Sequence, residues 1–161
     1  WATNLITQKK ATILYTSTMM LRLGKGGSVG DINEQIYPTE YFRSALPEKI
    51  SRENSLIPAA FDTKIIGYSL SLEPNLDPSG ALILKYSSDL TTYHGKTPYH
   101  RFFNGKEWIA DAWVPRFSNR GQSGTVALNP GENTLVGVSA SIDSQGNPDP
   151  ANRLLFFLKA E

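Results

Sequence analysis

The 161-residue sequence predicts an all-β protein, a sandwich or jelly roll built from two related halves with one short helix. Three observations carry that expectation. Segments with β-strand patterning recur about seventy residues apart, turn residues punctuate the chain at short intervals, and the balance of Gly 13, Pro 10 and 11% aromatics favours strands and tight turns. A small β-propeller is the alternative arrangement of the same elements.

The recurrence is read without gaps. Ala-Thr-Ile-Leu-Tyr-Thr-Ser-Thr at 11–18 aligns with Ala-Leu-Ile-Leu-Lys-Tyr-Ser-Ser at 81–88, and Ile-Gly-Tyr-Ser-Leu-Ser-Leu-Glu at 66–73 aligns with Val-Gly-Val-Ser-Ala-Ser-Ile-Asp at 136–143. Residues 1–161 therefore read as a single domain with an internal duplication, approximately 11–80 and 81–161.

Taken in order, residues 11–23 form a β-prone run that stops at the glycine-rich stretch 24–30. That stretch lacks the lysine placement of a nucleotide-binding loop and reads as a connection. Residues 38–46 predict the short helix, with Pro38 at its first turn, Glu40 near its positive end and Pro47 behind it. From 64 to 72, Ile66, Tyr68, Leu70 and Leu72 alternate with Gly67, Ser69 and Ser71, the period of a half-buried strand. Residues 81–86 pair back on it as a hairpin, and 136–142 with 154–158 repeat the arrangement. The acids in the two connections, around Asp77 and Asp143, resemble a calcium ligand set only in composition; turns need the same residues, and no metal or other cofactor is expected.

Asn104-Gly105 is the strongest hairpin signal in the chain. A two-residue loop there pairs Phe103 with Lys106, Phe102 with Glu107, Arg101 with Trp108 and His100 with Ile109. One face then carries Tyr99, Arg101, Phe103, Lys106, Trp108, Ala110, Ala112 and Val114; the other carries His100, Phe102, Glu107, Ile109, Asp111 and Trp113. The second face mixes carboxylates, an imidazole and an indole, which suits a hydroxyl-rich ligand. Carboxylates accept from hydroxyls, while an aromatic plate covers the apolar C–H face of a sugar ring. Tyr99, His100, Arg101, Glu107, Trp108, Asp111, Trp113 and Arg116 are the candidate ligand-binding residues, with Tyr93, His94, Asn119 and Arg120 nearby. The competing structural reading stacks Arg101 on Trp108 and buries Trp113 in the core.

No catalytic residue is assigned. Glu107 and Asp111 lie four positions apart on one strand, roughly 13 Å between backbones, whereas glycosidase carboxylates stand about 5–9.5 Å apart. There is no cysteine, no Gly-x-Ser-x-Gly elbow, and His94 and His100 lack the spacing of a zinc helix. The leading expectation is thus noncatalytic recognition of a carbohydrate or cell-surface glycan. A structural assembly subunit, such as a fibre knob or shell protein, comes second and a glycoside hydrolase third.

The Asn104-Gly105-Lys106-Glu107-Trp108 phrase resembles the hairpins of propeller lectins, in which a Gly-x-x-Trp turn adjoins a sugar pocket, and the hairpins ending at 154–158 resemble jelly-roll or tumour-necrosis-factor-like knobs of phage fibres and lectins. Neither resemblance transfers a residue role. A net charge of +1 gives no field to draw nucleic acid, and no apolar stretch approaches the roughly 18 residues of a helical membrane span. An apolar terminal strand invites pairing, so a homo-oligomer is expected. Trp1 in place of an initiator Met reads as processing or excision from something longer, and an extracellular or surface-exposed protein is expected.

Overall fold

The computed structural model describes residues 2–43, 56–143 and 146–161. The fold is an all-β sandwich: a four-stranded antiparallel sheet, ordered β1-β2-β3-β4, and a two-stranded antiparallel sheet, β5-β6. The strands are β1 (Gly27–Arg43), β2 (Leu56–Leu76), β3 (Leu82–Phe103), β4 (Trp108–Leu128), β5 (Thr134–Ile142) and β6 (Pro148–Leu158). The six described strands are long, up to 22 residues, because bulges rather than breaks absorb several of the turn signals. Gly95, for example, lies inside β3 with φ 85°, at a register shift between Tyr93 and Lys96.

Two local expectations fail. The helix expected over 38–46 is strand as far as Arg43, paired to β2, and its remainder lies outside the described residues. Tyr41 and Phe42 pair with Pro58 and Ile57, and this cross-strand pairing overrides the Pro38 and Glu40 start signals. The described helix, α1, is instead Ala2–Thr7. Residues 11–22, expected as strand, have no regular secondary structure and join no sheet. The hairpins at 64–86 and 136–158 do form, as β2-β3 and β5-β6.

Those hairpins turn alike. Asp77 donates its N–H to the Ala81 carbonyl at 3.0 Å, receives the Ala81 N–H on Oδ1 at 2.9 Å, and accepts the Gly80 N–H on its carbonyl at 2.9 Å. Asp143 repeats all three bonds with Asn147 and Gly146, at 2.9, 2.9 and 3.0 Å. Gly80 and Gly146 have φ 85° and 84°, a left-handed conformation that glycine adopts without strain. Asp77 Oδ1 also accepts from the Ser79 hydroxyl and N–H, so the carboxylate closes its own turn.

The four-stranded sheet has a base and a fork. β2 and β3 pair only from Leu76↔Leu82 to Gly67↔Thr91. Beyond that point β1-β2 continues to Arg43↔Leu56 and β3-β4 to Phe103↔Trp108, as two separate hairpin arms. Gly67 stands at the divergence with φ 113°, and a Cβ there would lie 2.1 Å from the Asp31 carbonyl oxygen. Only glycine fits.

The base holds the core. Leu70, Leu84, Tyr86, Leu128 and Leu158 are buried together, with Val29, Tyr68, Leu72, Val126, Val136 and Phe156 packed around them. β5-β6 covers β3 and β4 here: the Tyr86 hydroxyl donates to the Val136 carbonyl at 3.0 Å, and its ring meets Phe156 at 5.9 Å. Gly124 makes room for that ring, since a Cβ would stand 3.1 Å from the hydroxyl. The other face of the base is polar and exposed, with Ser28, Ser71, Ser87 and Ser123 aligned across all four strands.

Candidate functional site

Beyond the fork the arms close on each other and leave a cleft of about 310 Å³ between them. One wall comes from β1 and β2 through Tyr37, Pro38, Tyr41, Pro58 and Phe61; the other comes from β3 and β4 through Tyr93, Lys96, Asp111, Trp113 and Pro115. Two cross-links hold the walls together. The Tyr41 hydroxyl donates to the Trp113 carbonyl at 2.8 Å and accepts the Trp113 N–H at 3.0 Å, which satisfies both main-chain groups of an edge-strand residue. Asp111 accepts the Leu56 N–H on Oδ2 at 2.5 Å and the His100 Nδ1 on Oδ1 at 2.8 Å.

Asp111 owes its position to a bulge. Arg101 pairs with Ala110 and His100 with Ala112, so Asp111 is the unmatched residue of β4. Its side chain, 11% exposed, turns back to His100 and across to the other arm. Burial pushes its carboxyl pKa up, yet the bonds from His100 and Leu56 and the His100 charge outweigh that effect, leaving it below the ordinary aspartate value. Asp111 is therefore an ionised acceptor at neutral pH.

The aromatic lining is graded. Phe117 lies between Tyr37 and Tyr93, with both ring centroids at 5.5 Å, and closes the inner part of the region between the arms. Trp113 forms the cleft wall further out, with Lys96 Nζ 4.9 Å from its ring centroid. Phe61, 61% exposed, lines the opposite wall. The arrangement offers aromatic plates beside one carboxylate and one ammonium, chemistry for stacking a ring and bonding its substituents.

The predicted residues divide between the cleft and the tip of the β3-β4 arm. Asp111 and Trp113 line the cleft, and His100 bonds to Asp111. Tyr99 is the unpaired residue of a second bulge, 73% exposed, and Arg101 is exposed opposite Ala110. Trp108, 67% exposed, meets Phe103 at 5.6 Å rather than Arg101. Arg116 donates from Nη2 to the His94 carbonyl at 3.5 Å, and His94 Nε2 is 2.7 Å from the Ser118 hydroxyl.

Glu107 corrects the expected register. It occupies the turn rather than the strand, because that turn is centred on Gly105 and Lys106, with the Asn104 N–H donating to the Glu107 carbonyl at 3.1 Å. Asn104 Oδ1 accepts the Lys106 and Glu107 N–H groups at 2.9 and 2.8 Å, and Gly105 takes φ 90°. Asn104 thus caps the turn with its side chain. Phe103 pairs with Trp108 and Phe102 with Ile109, each two positions from the expected partner.

Sequence reasoning missed Tyr37, Tyr41, Phe61 and Lys96. Tyr41 was hidden by the helix signals around it, and the approach of the two arms has no local signature. Comparison with known proteins adds no identity: no family model matches this chain, and neither a curated protein nor a solved structure matches it.

Proposed function

We propose that this protein is a noncatalytic carbohydrate-binding module that takes a glycan into the cleft between its two arms. The observation that carries this reading is the placement of Trp113, Tyr93 and Phe61 around a cleft that also presents Asp111 and Lys96. Aromatic faces cover the apolar side of a sugar ring, and the ionised Asp111 retains lone pairs for hydroxyls after its two protein bonds. Glu107 in the exposed turn and Asp111 in the cleft wall belong to different parts of the arm, which supports binding over hydrolysis. A glycan array tests the proposal: the expected result is binding by the intact protein, lost on Trp113→Ala with the far-ultraviolet spectrum unchanged. Absence of binding on a broad array, or binding indifferent to Trp113→Ala, Phe61→Ala and Lys96→Gln, refutes it.

A second reading, an assembly subunit whose surfaces bind copies of itself, draws support from the exposed apolar side chains along the long strands. Ile32, Ile36, Phe61 and Ile65 are 54–62% exposed on β1 and β2. Apolar rows on a sheet with open edges favour self-association. Light scattering tests this reading, with a defined multimer expected and a monomer at all concentrations counting against it.

A further inference from the structure

The β-prone run at 11–22 has no strand partner among the described residues. No backbone hydrogen bond joins residues 11–21 to any other described residue. Part of the run is committed: Tyr15 stacks on Tyr68 at 5.4 Å, and Met19 and Leu21 lie over Gly27. The rest faces outward, with Ile13 60%, Leu14 63% and Met20 98% exposed. A β-prone sequence whose main-chain donors and acceptors are unpaired is strand material for an edge.

A matching edge lies on the same molecule. β1 pairs with β2 on one side only, and residues 27–38 keep an unbroken register before the shift at Pro38. Donor run and edge are each about 12 residues long, roughly 40 Å as strands. Their charges are complementary. Residues 1–30 contain Lys9, Lys10, Arg22 and Lys25 and no acid, whereas β1 carries Asp31, Glu34 and Glu40 against the single base Arg43. An antiparallel register with Ile13 opposite Ile36 sets Thr16 opposite Asn33.

The run does not serve its own edge. Gly24 donates its N–H to the Pro74 carbonyl at 2.7 Å, just beyond the Gly27↔Leu72 pair, and the run that precedes it passes over Gly27 and Tyr68 without a main-chain bond to β1. We propose that residues 11–22 are a donated strand, adding antiparallel to the β1 edge, residues 27–38, of a second copy of this chain. The inference rests on the assembly reading in requiring self-association, and the two are tested separately.

Light scattering of the full chain is expected to show a multimer; a monomer at all concentrations overturns both. The route is read by cross-linking, made clean by the absence of native cysteine. Full-length Thr16→Cys and Asn33→Cys proteins, mixed and oxidised, should give a disulfide dimer well above that of either alone. Thr16→Pro with Thr18→Pro, at exposed positions, removes two main-chain donors and should lower the mass to that of a monomer without shifting the melting transition. Should that variant unfold, Ile13→Asp with Leu14→Asp, at exposed positions within the run, replaces it, with weakened association expected. A multimer that yields no mixed disulfide, or that is indifferent to these substitutions, overturns the donated strand alone.

Discussion

Base and fork are built from the same strands and held by different forces. In the base, Leu70, Leu84, Tyr86, Leu128 and Leu158 exclude water from a shared core. In the arms, Phe102 and Ala112 are the buried apolar residues among those described, and the Tyr41 hydroxyl and the Asp111 carboxylate join the two arms beside the Tyr37–Phe117 ring contact. Apolar burial tolerates small shifts because it has no direction. Hydrogen bonds fix distances, which is what a binding cleft needs. The base supplies stability and the fork supplies geometry.

That division is open to attack at several points. The largest effect is expected at the base: Leu128→Ala, at a residue 3% exposed, should cost about 2–5 kcal/mol in denaturant unfolding. Gly67→Ala follows, where positive φ alone costs on the order of 1–3 kcal/mol and the Asp31 carbonyl blocks a methyl group. Its unfolding should be accompanied by altered arm signals in NMR. Tyr41→Phe leaves both main-chain groups of Trp113 unpaired by protein, a loss of about 1–3 kcal/mol confined to the arms. Hydrogen exchange at the Trp113 amide should accelerate while base amides keep their protection; equal acceleration in both would erase the distinction.

The pH response is smaller. Asp111 has a lowered carboxyl pKa in the folded state, so its contribution is present above the ordinary aspartate pKa and is lost as pH falls through the lowered value. Trp113 fluorescence should therefore report arm opening in acid below the normal carboxylate range, and Asp111→Asn should flatten that transition. Smallest of all, Trp108→Ala at the exposed arm tip should change stability by no more than about 1 kcal/mol, measured in the same unfolding experiment.

Legibility in the sequence follows the same boundary. Alternation from Ile66 to Leu72 announces a base strand, and the apolar positions of 81–86 and 154–158 announce its partners, because burial on one face imposes a period of two. Asp111 and Trp113 were legible as part of a face whose mixture of charge and aromatic ring suits a ligand better than a core. Their setting was not. It depends on the bulge that isolates Asp111, the glycine at 67 that splits the sheet, and the meeting of Tyr41 with Trp113 across 72 positions of sequence. Pro38 and Glu40 carry helix-start chemistry, yet the hairpin with β2 decides their conformation. Residues 11–22 show the reverse: strand patterning is present without a ladder in the chain itself.

The paired aspartate turns also bear on time. Closing a loop of a few residues costs little chain entropy, so the Asp77 and Asp143 hairpins are among the cheapest contacts available to the unfolded chain. Contact between Tyr41 and Trp113 requires the whole intervening chain to be in place. Folding is expected to begin at the two turns and to finish at the cleft, and quenched-flow hydrogen exchange would show Leu84 and Leu155 amides protected before that of Trp113. A newly made molecule would then acquire its core first and its binding competence last.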